Sequence, residues 1–172
     1  TDVAFYADAS QGLEAQLAEL KKAEHFIFME YHAIEQAESF ERILNVLKDR
    51  AAHGVEVRIF YDDVVSIGFI DHDFRKRMEE NDIACRVFNP IIPVLSVFMN
   101  NRDHRKITVI DGKVGFTGGY NLANEYFNIT HPYGHWKDTG IRLEGDAVKS
   151  LTVMFLEMWN AVKKTDQDYQ KY

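Results

Sequence analysis

In "SQGLEAQLAELKKAEH", Leu13, Leu17 and Leu20 recur at helical spacing behind Ser10 as a cap, which predicts an amphipathic helix. An apolar run, "HFIFMEYHAI", predicts a strand after it. Phe40, Ile43, Leu44 and Leu47 then share one helical face in "ESFERILNVLKDRAAHG", and Gly54 fits a glycine just past the helix end. Alternating Val55, Val57 and Ile59 mark a second strand, "VEVRIFYDD"; a polar helix, "DHDFRKRMEEN", leads to a third, "IACRVF". From Phe26 to Phe88 the order is therefore strand, helix, strand, helix, strand, the pattern of an α/β layer with parallel strands.

The alternation stops at "NPIIPVLSVFMNN", whose prolines predict a loop or extended connection over residues 89–100. This apolar segment has two readings: a buried connection beneath the sheet, or a patch at the mouth of a site that meets acyl chains or a bilayer. From Lys106, "KITVIDGKVGFTGG" reads as two strands joined by Asp111-Gly112, the dipeptide of a type I′ hairpin. "DTGIRLEG" predicts one more strand. A last helix from about Asp146 to Val162 carries the stripe Val148, Leu151, Phe155, Met158 and Trp159. The 172 residues contain no internal repeat and no interdomain linker, so one domain is expected over 1–172.

Charge changes the picture. With 20 Lys+Arg against 27 Asp+Glu, the net charge of −7 repels a polyanion, so nucleic acid is not an expected partner and any basic site must be local. Cys85, the one cysteine, lies in a predicted strand and is expected to be buried; it cannot form an internal disulfide. No run approaches the roughly 20 apolar residues that span a bilayer. The first ten residues lack the regions of a signal peptide, so the chain as it stands is expected to be soluble.

The local basic site is "NRDHRKITVIDGKVGFTGGYN". His104 and Lys106 are two apart and point to the same side of an extended chain. Burying a lysine beside an imidazole without a partner costs several kcal/mol, which an anionic ligand removes. Gly118 and Gly119 let backbone N–H groups approach a phosphate, and Asn121 offers an amide donor. Arg102 and Arg105 have the opposite parity to His104 and are expected to brace the sheet or face solvent. Asp111 sits at the turn and is expected to hold it or pair with a cation behind the sheet. His131 and His135 have the four-residue spacing of a metal pair, but Pro132 and Gly134 argue against the helix it needs; a loop over the site's mouth is expected, with no metal. His25, His32, His53 and His72 show no constellation around them.

The spacing His104, Lys106, Asp111, Gly118-Gly119-Tyr120-Asn121 resembles the HKD motif of the phospholipase D superfamily. The wider pattern is similar to bacterial cardiolipin synthases: "EYHAI", "GVEVRIFYDD", the motif itself, and "WKDTGIRLEGDAV". The resemblance implies a phospholipase D-like α/β/α sandwich with a mixed central sheet and no cofactor. It implies phosphatidyl transfer, two phosphatidylglycerol giving cardiolipin and glycerol, through a phosphohistidine. His104 is then nucleophile or general acid, and Lys106 and Asn121 hold phosphoryl oxygens. Asp138 falls where the resemblance places the acid that hydrogen-bonds the motif histidine. Glu30, in an otherwise apolar strand, is a second carboxylate that needs a partner.

Two departures qualify the likeness. Gly119 stands where the superfamily commonly has serine, and the chain holds one full copy of a motif that the family uses twice. The resemblance therefore implies an amino-terminal half excised from a longer membrane-associated protein acting at the cytoplasmic face, with membrane helices upstream and a second motif downstream. The expected partners are the phospholipid, a second HKD half and a membrane surface, and the isolated chain is expected to be weakly active or inactive. The competing readings are a one-motif phosphodiesterase or nuclease built from two copies, and a catalytically silent membrane-docking module.

Overall fold

The computed structural model describes residues 2–66, 68–88 and 102–172, so the expected connection over 89–100 lies outside the described residues. Seven strands form one mixed sheet: β1 (Asp2–Tyr6), β2 (Phe26–Tyr31), β3 (Glu56–Asp62), β4 (Ile83–Phe88), β5 (Lys106–Ile110), β6 (Val114–Gly118) and β7 (Gly140–Glu144). Their order across the sheet is β1-β7-β6-β5-β2-β3-β4. The helices are α1 (Ala9–Leu20), α2 (Glu38–Ala52), α3 (Asp63–Ser66), α4 (Phe74–Glu79) and α5 (Ala147–Val162), with a 3-10 turn at Asn124–Phe127. Strands β2, β3 and β4 pair in parallel, while β5, β6, β7 and β1 pair antiparallel.

The strand period of two sorts side chains between two cores. Ile27, Met29 and Tyr31 join α1 and α2 on one face, whereas Phe26 and Phe28 join α5 on the other. All six residues of β2 are buried, which explains why that strand reads as a continuous apolar run. On the α5 face Phe28 stacks on Phe155 with ring centroids 4.7 Å apart, and Trp159 stacks on Phe155 in turn. Cys85 is buried in β4, and burial pushes its thiol up to about 12.

Three local expectations are refined. The cap of α1 is Asp8, not Ser10: its carboxylate accepts from the Ser10 N–H at 2.8 Å, so the helix begins at Ala9. Asp111 and Gly112 both take positive φ, and the Lys113 N–H donates to the Ile110 carbonyl, as a type I′ turn requires; the register Ile110↔Val114 leaves Lys113 as one extra residue. Among the described residues the Asp111 carboxylate pairs with no cation. It accepts three backbone N–H groups, from Glu24, His25 and Phe26 at 2.8–2.9 Å, and so ties the hairpin to the start of β2. Strand β1 has no counterpart in the sequence pattern. Val3 and Phe5 are exposed and only Ala4 and Tyr6 are half-buried, so the apolar residues of β1 do not mark a core face, and the strand is held by its ladder with β7 and by Tyr6 against the core.

Candidate active site

Strand β2 is where the parallel half of the sheet meets the antiparallel half, and open sheets bind ligands at such a switch, beyond the strand carboxyl ends. Because β5 runs against β2 with Tyr31 opposite Lys106, the residues leaving β2 meet those entering β5. Strand β6 returns to the same end, which brings Asn121 in. A cavity of about 310 Å³ opens there, lined among others by His32, Glu35, His104, Asn121, Glu125 and Tyr126.

His104 and Lys106 share a side, as their spacing predicts. The Lys106 ammonium lies 3.3 Å from each His104 ring nitrogen and donates to the His104 carbonyl at 2.9 Å. Lys106 is 5% exposed, and no described carboxylate comes within ion-pair distance of it. Burial lowers its pKa, opposed by the charges of Asp103 and Asp138. The Lys106 charge in turn lowers the pKa of His104, helped by burial and by His32, which favours a neutral imidazole with a free lone pair. Asn121 is buried with its amide fixed: Oδ1 accepts from the Ala33 N–H at 3.1 Å, and Nδ2 donates to the Tyr126 hydroxyl at 3.0 Å. One N–H of Nδ2 remains for a ligand.

Other expected site residues take different places. Asp138 makes no hydrogen bond to His104; its carboxylate accepts from the Thr139 N–H at 2.8 Å and from the Trp136 indole at 3.4 Å. It reaches the site through its charge on Lys106. At Gly119 the backbone donor is already engaged. The Gly119 N–H donates to the Thr139 carbonyl, and a Cβ at Gly119 would lie 2.1 Å from the Asp138 carboxylate. A Cβ at Gly118 would lie 2.5 Å from the Thr139 carbonyl. Both glycines are required because the end of β6 presses against the chain entering β7.

Glu30 is fully buried on the α5 face, with Asp103 and Arg105 as its partners. Arg105 Nε lies 2.8 Å from Glu30 Oε1, yet neither Glu30 oxygen has an aligned donor, and Asp103 Oδ2 also lacks one. A proton resolves this: burial first, and Asp103 second, push the Glu30 carboxyl up to about 9, so at neutral pH it can donate to Asp103. Arg105 braces the back of the sheet, as its parity predicts, bonding Asp103 at 3.2 Å. His131 and His135 lie in an exposed loop that reaches the cavity through Trp136, whose ring packs on Tyr126 with centroids 4.8 Å apart.

His32 corrects the sequence reading, which found nothing around it. Its ring lies 4.6 Å from that of His104, and its Nδ1 is 2.6 Å from the Asp103 carbonyl. Its one signal is position: it is the first residue beyond β2, at the end where β5 begins.

Comparison with solved structures defines the class by fold. The chain superposes on NucT from Helicobacter pylori with a TM-score of 0.70 at 12% identity, covering 92% of this chain and 96% of that one. Nuc from Salmonella typhimurium, described as a phospholipase D family member, gives 0.63 at 16% identity over 92% and 93% of the two chains. The fold is that of a phospholipase D-like α/β domain. The family model described as "Cardiolipin synthase, PLD-like domain" matches residues 17–159, and the chain belongs to that family. An uncharacterized Streptococcus mutans protein is 44% identical over 99% of this chain and 36% of its own length. A Staphylococcus aureus cardiolipin synthase is 36% identical over 96% and 33%, and a Staphylococcus epidermidis cardiolipin synthase 2 is 33% identical over 96% and 34%. The chain thus spans about a third of the length of these relatives.

Proposed function

We propose that this domain supplies one of the two HKD half-sites of a cardiolipin synthase, in which a phosphatidyl group passes from one phosphatidylglycerol to another with release of glycerol. Lys106 carries this reading: a buried ammonium, beside an imidazole whose pKa it lowers and a fixed amide donor, that has no carboxylate partner among the described residues and is complementary to a phosphodiester. In the first displacement an imidazole nitrogen forms a bond to phosphorus, the P–O bond to glycerol breaks, and the histidine of the other half-site protonates the departing oxygen. In the second, the acceptor alcohol attacks phosphorus, its proton is taken up, and the N–P bond breaks. Lys106 and Asn121 hold the non-bridging oxygens throughout. The domain meets its lipid at a membrane surface, although no helix among the described residues is long and apolar enough to cross a bilayer.

A second reading is a phosphodiesterase assembled from two copies of this chain. It is supported by the end-to-end match to the two solved neighbours, 96% and 93% of whose chains are covered. The net charge of −7 speaks against a nucleic-acid substrate for it. Turnover of phosphatidylglycerol vesicles and of a soluble phosphodiester, measured for this chain and for His104→Ala with the mass in solution, separates the two. A monomer that forms cardiolipin only when a second HKD half is supplied, and loses it by about a thousandfold or more in His104→Ala, supports the first. A dimer that cleaves nucleic acid and ignores lipid replaces it with the second.

A further inference from the structure

We infer that His32 is a second imidazole in contact with the substrate, donating from Nε2 to a phosphoryl oxygen of the phosphodiester held at His104. The inference rests on the site reading above and deepens it. A backbone carbonyl only accepts, so the 2.6 Å contact from Nδ1 to the Asp103 carbonyl fixes a proton on Nδ1 and leaves Nε2 as the nitrogen available to a ligand. His32 lines the same cavity as His104 and Asn121. Its ring centre, 4.6 Å from that of His104 and tilted by 59°, is placed to reach a different oxygen of one phosphoryl group, given N–H···O lengths of ~2.9 Å.

With Nδ1 already bearing a proton, an Nε2 that donates to an anionic oxygen does so as the imidazolium, and the bound phosphate anion is the counter-charge of that form. Occupation of the site thereby engages a group far from the motif in sequence.

Two amide substitutions divide the roles of the ring. His32→Asn keeps a donor near the Nδ1 position for the Asp103 carbonyl and removes Nε2; His32→Gln puts its donor near Nε2. Inorganic phosphate binding to the 172-residue chain, followed by calorimetry and by imidazole NMR, should weaken about tenfold in His32→Asn. In His32→Gln it should change by no more than about threefold. Wild-type affinity in His32→Asn overturns the inference. So does equal weakening in both variants with displaced His104 resonances in the phosphate-free chain, which assigns His32 to positioning alone. If the wild type fails to bind phosphate, or His104→Ala binds it as well as the wild type does, the site reading falls and this inference with it. Binding that depends on His104 but not on His32 sinks this inference alone.

Discussion

Arg58 and Lys106 are buried to nearly the same degree, 6% and 5% exposed, on opposite faces of one sheet. Arg58 is saturated with partners. Its guanidinium donates to both oxygens of Asp166 at 2.8 and 3.0 Å, bonds Glu56 and the Tyr172 hydroxyl, and lies over the rings of Phe28 and Trp159. Lys106 has one backbone carbonyl and an imidazole. The pKa directions follow: desolvation is outweighed at Arg58, whose pKa rises, and prevails at Lys106, whose pKa falls. Burial alone therefore does not mark a functional cation. A buried charge whose partners are incomplete does, because only a ligand completes them.

The contrast breaks most visibly by removing each cation. Arg58→Met leaves the buried Asp166 carboxylate with only the exposed Lys171 ammonium, 3.9 Å away, to oppose its charge, and should cost about 3–5 kcal/mol in denaturant-induced unfolding. A loss under about 1 kcal/mol would show that the pair is dispensable and that saturation is no sign of a structural role. Arg58 pairing also holds the Asp166 carboxyl down at about 2, below its ordinary 3.8. Its contribution is therefore present above pH 3.8 and fades as pH falls towards 2.

Lys106→Met is the opposite experiment. Removing an ammonium that is desolvated and poorly paired should leave stability unchanged or raise it by about 1 kcal/mol. The affinity for inorganic phosphate should fall about thirtyfold, or ~2 kcal/mol, when read by calorimetry. A destabilised variant that still binds phosphate would make Lys106 a structural cation like Arg58.

The same distinction explains what the sequence could reveal. Helix α2, strand β3 and the β5–β6 hairpin follow from local periodicity and turn chemistry, in which Phe40, Ile43 and Leu47, then Val57 and Ile59, then Asp111-Gly112 each need only their neighbours. His104 and Lys106 were legible as a pair because strand parity is local too. His32, by contrast, enters the site only through the β2–β5 register, a long-range pairing that no window of sequence contains. The reason for Gly119 is likewise distant: it clears the Asp138 carboxylate, so its identity is set by the approach of β7 and not by a phosphate. Strand β1 is an edge strand with exposed Val3 and Phe5, and its pairing partner β7 lies near the other end of the chain.

Glu30 provides the finest test of incomplete pairing, since its deficit is met by a proton and not by a ligand. Its carboxyl is raised from 4.5 to about 9, so between those values the folded chain holds a proton that the unfolded chain has released. Stability contributed by that protonated form is complete below 4.5 and declines as pH rises towards 9. Glu30→Gln keeps an N–H donor for Asp103 and removes the titration. The decline between about pH 6 and 8, ~1 kcal/mol after allowance for relaxation around the ion, should vanish in the variant. His104 contributes with the opposite sign at the acid side of this range, because a pKa lowered from 6.5 makes stability rise with pH up to about that value, so the informative quantity is wild type minus variant. If that difference is flat across the range, Glu30 is ionised in the fold and Arg105 is its full partner. The back of the sheet would then hold two saturated ion pairs, and Lys106 would stand alone as the site's incomplete charge.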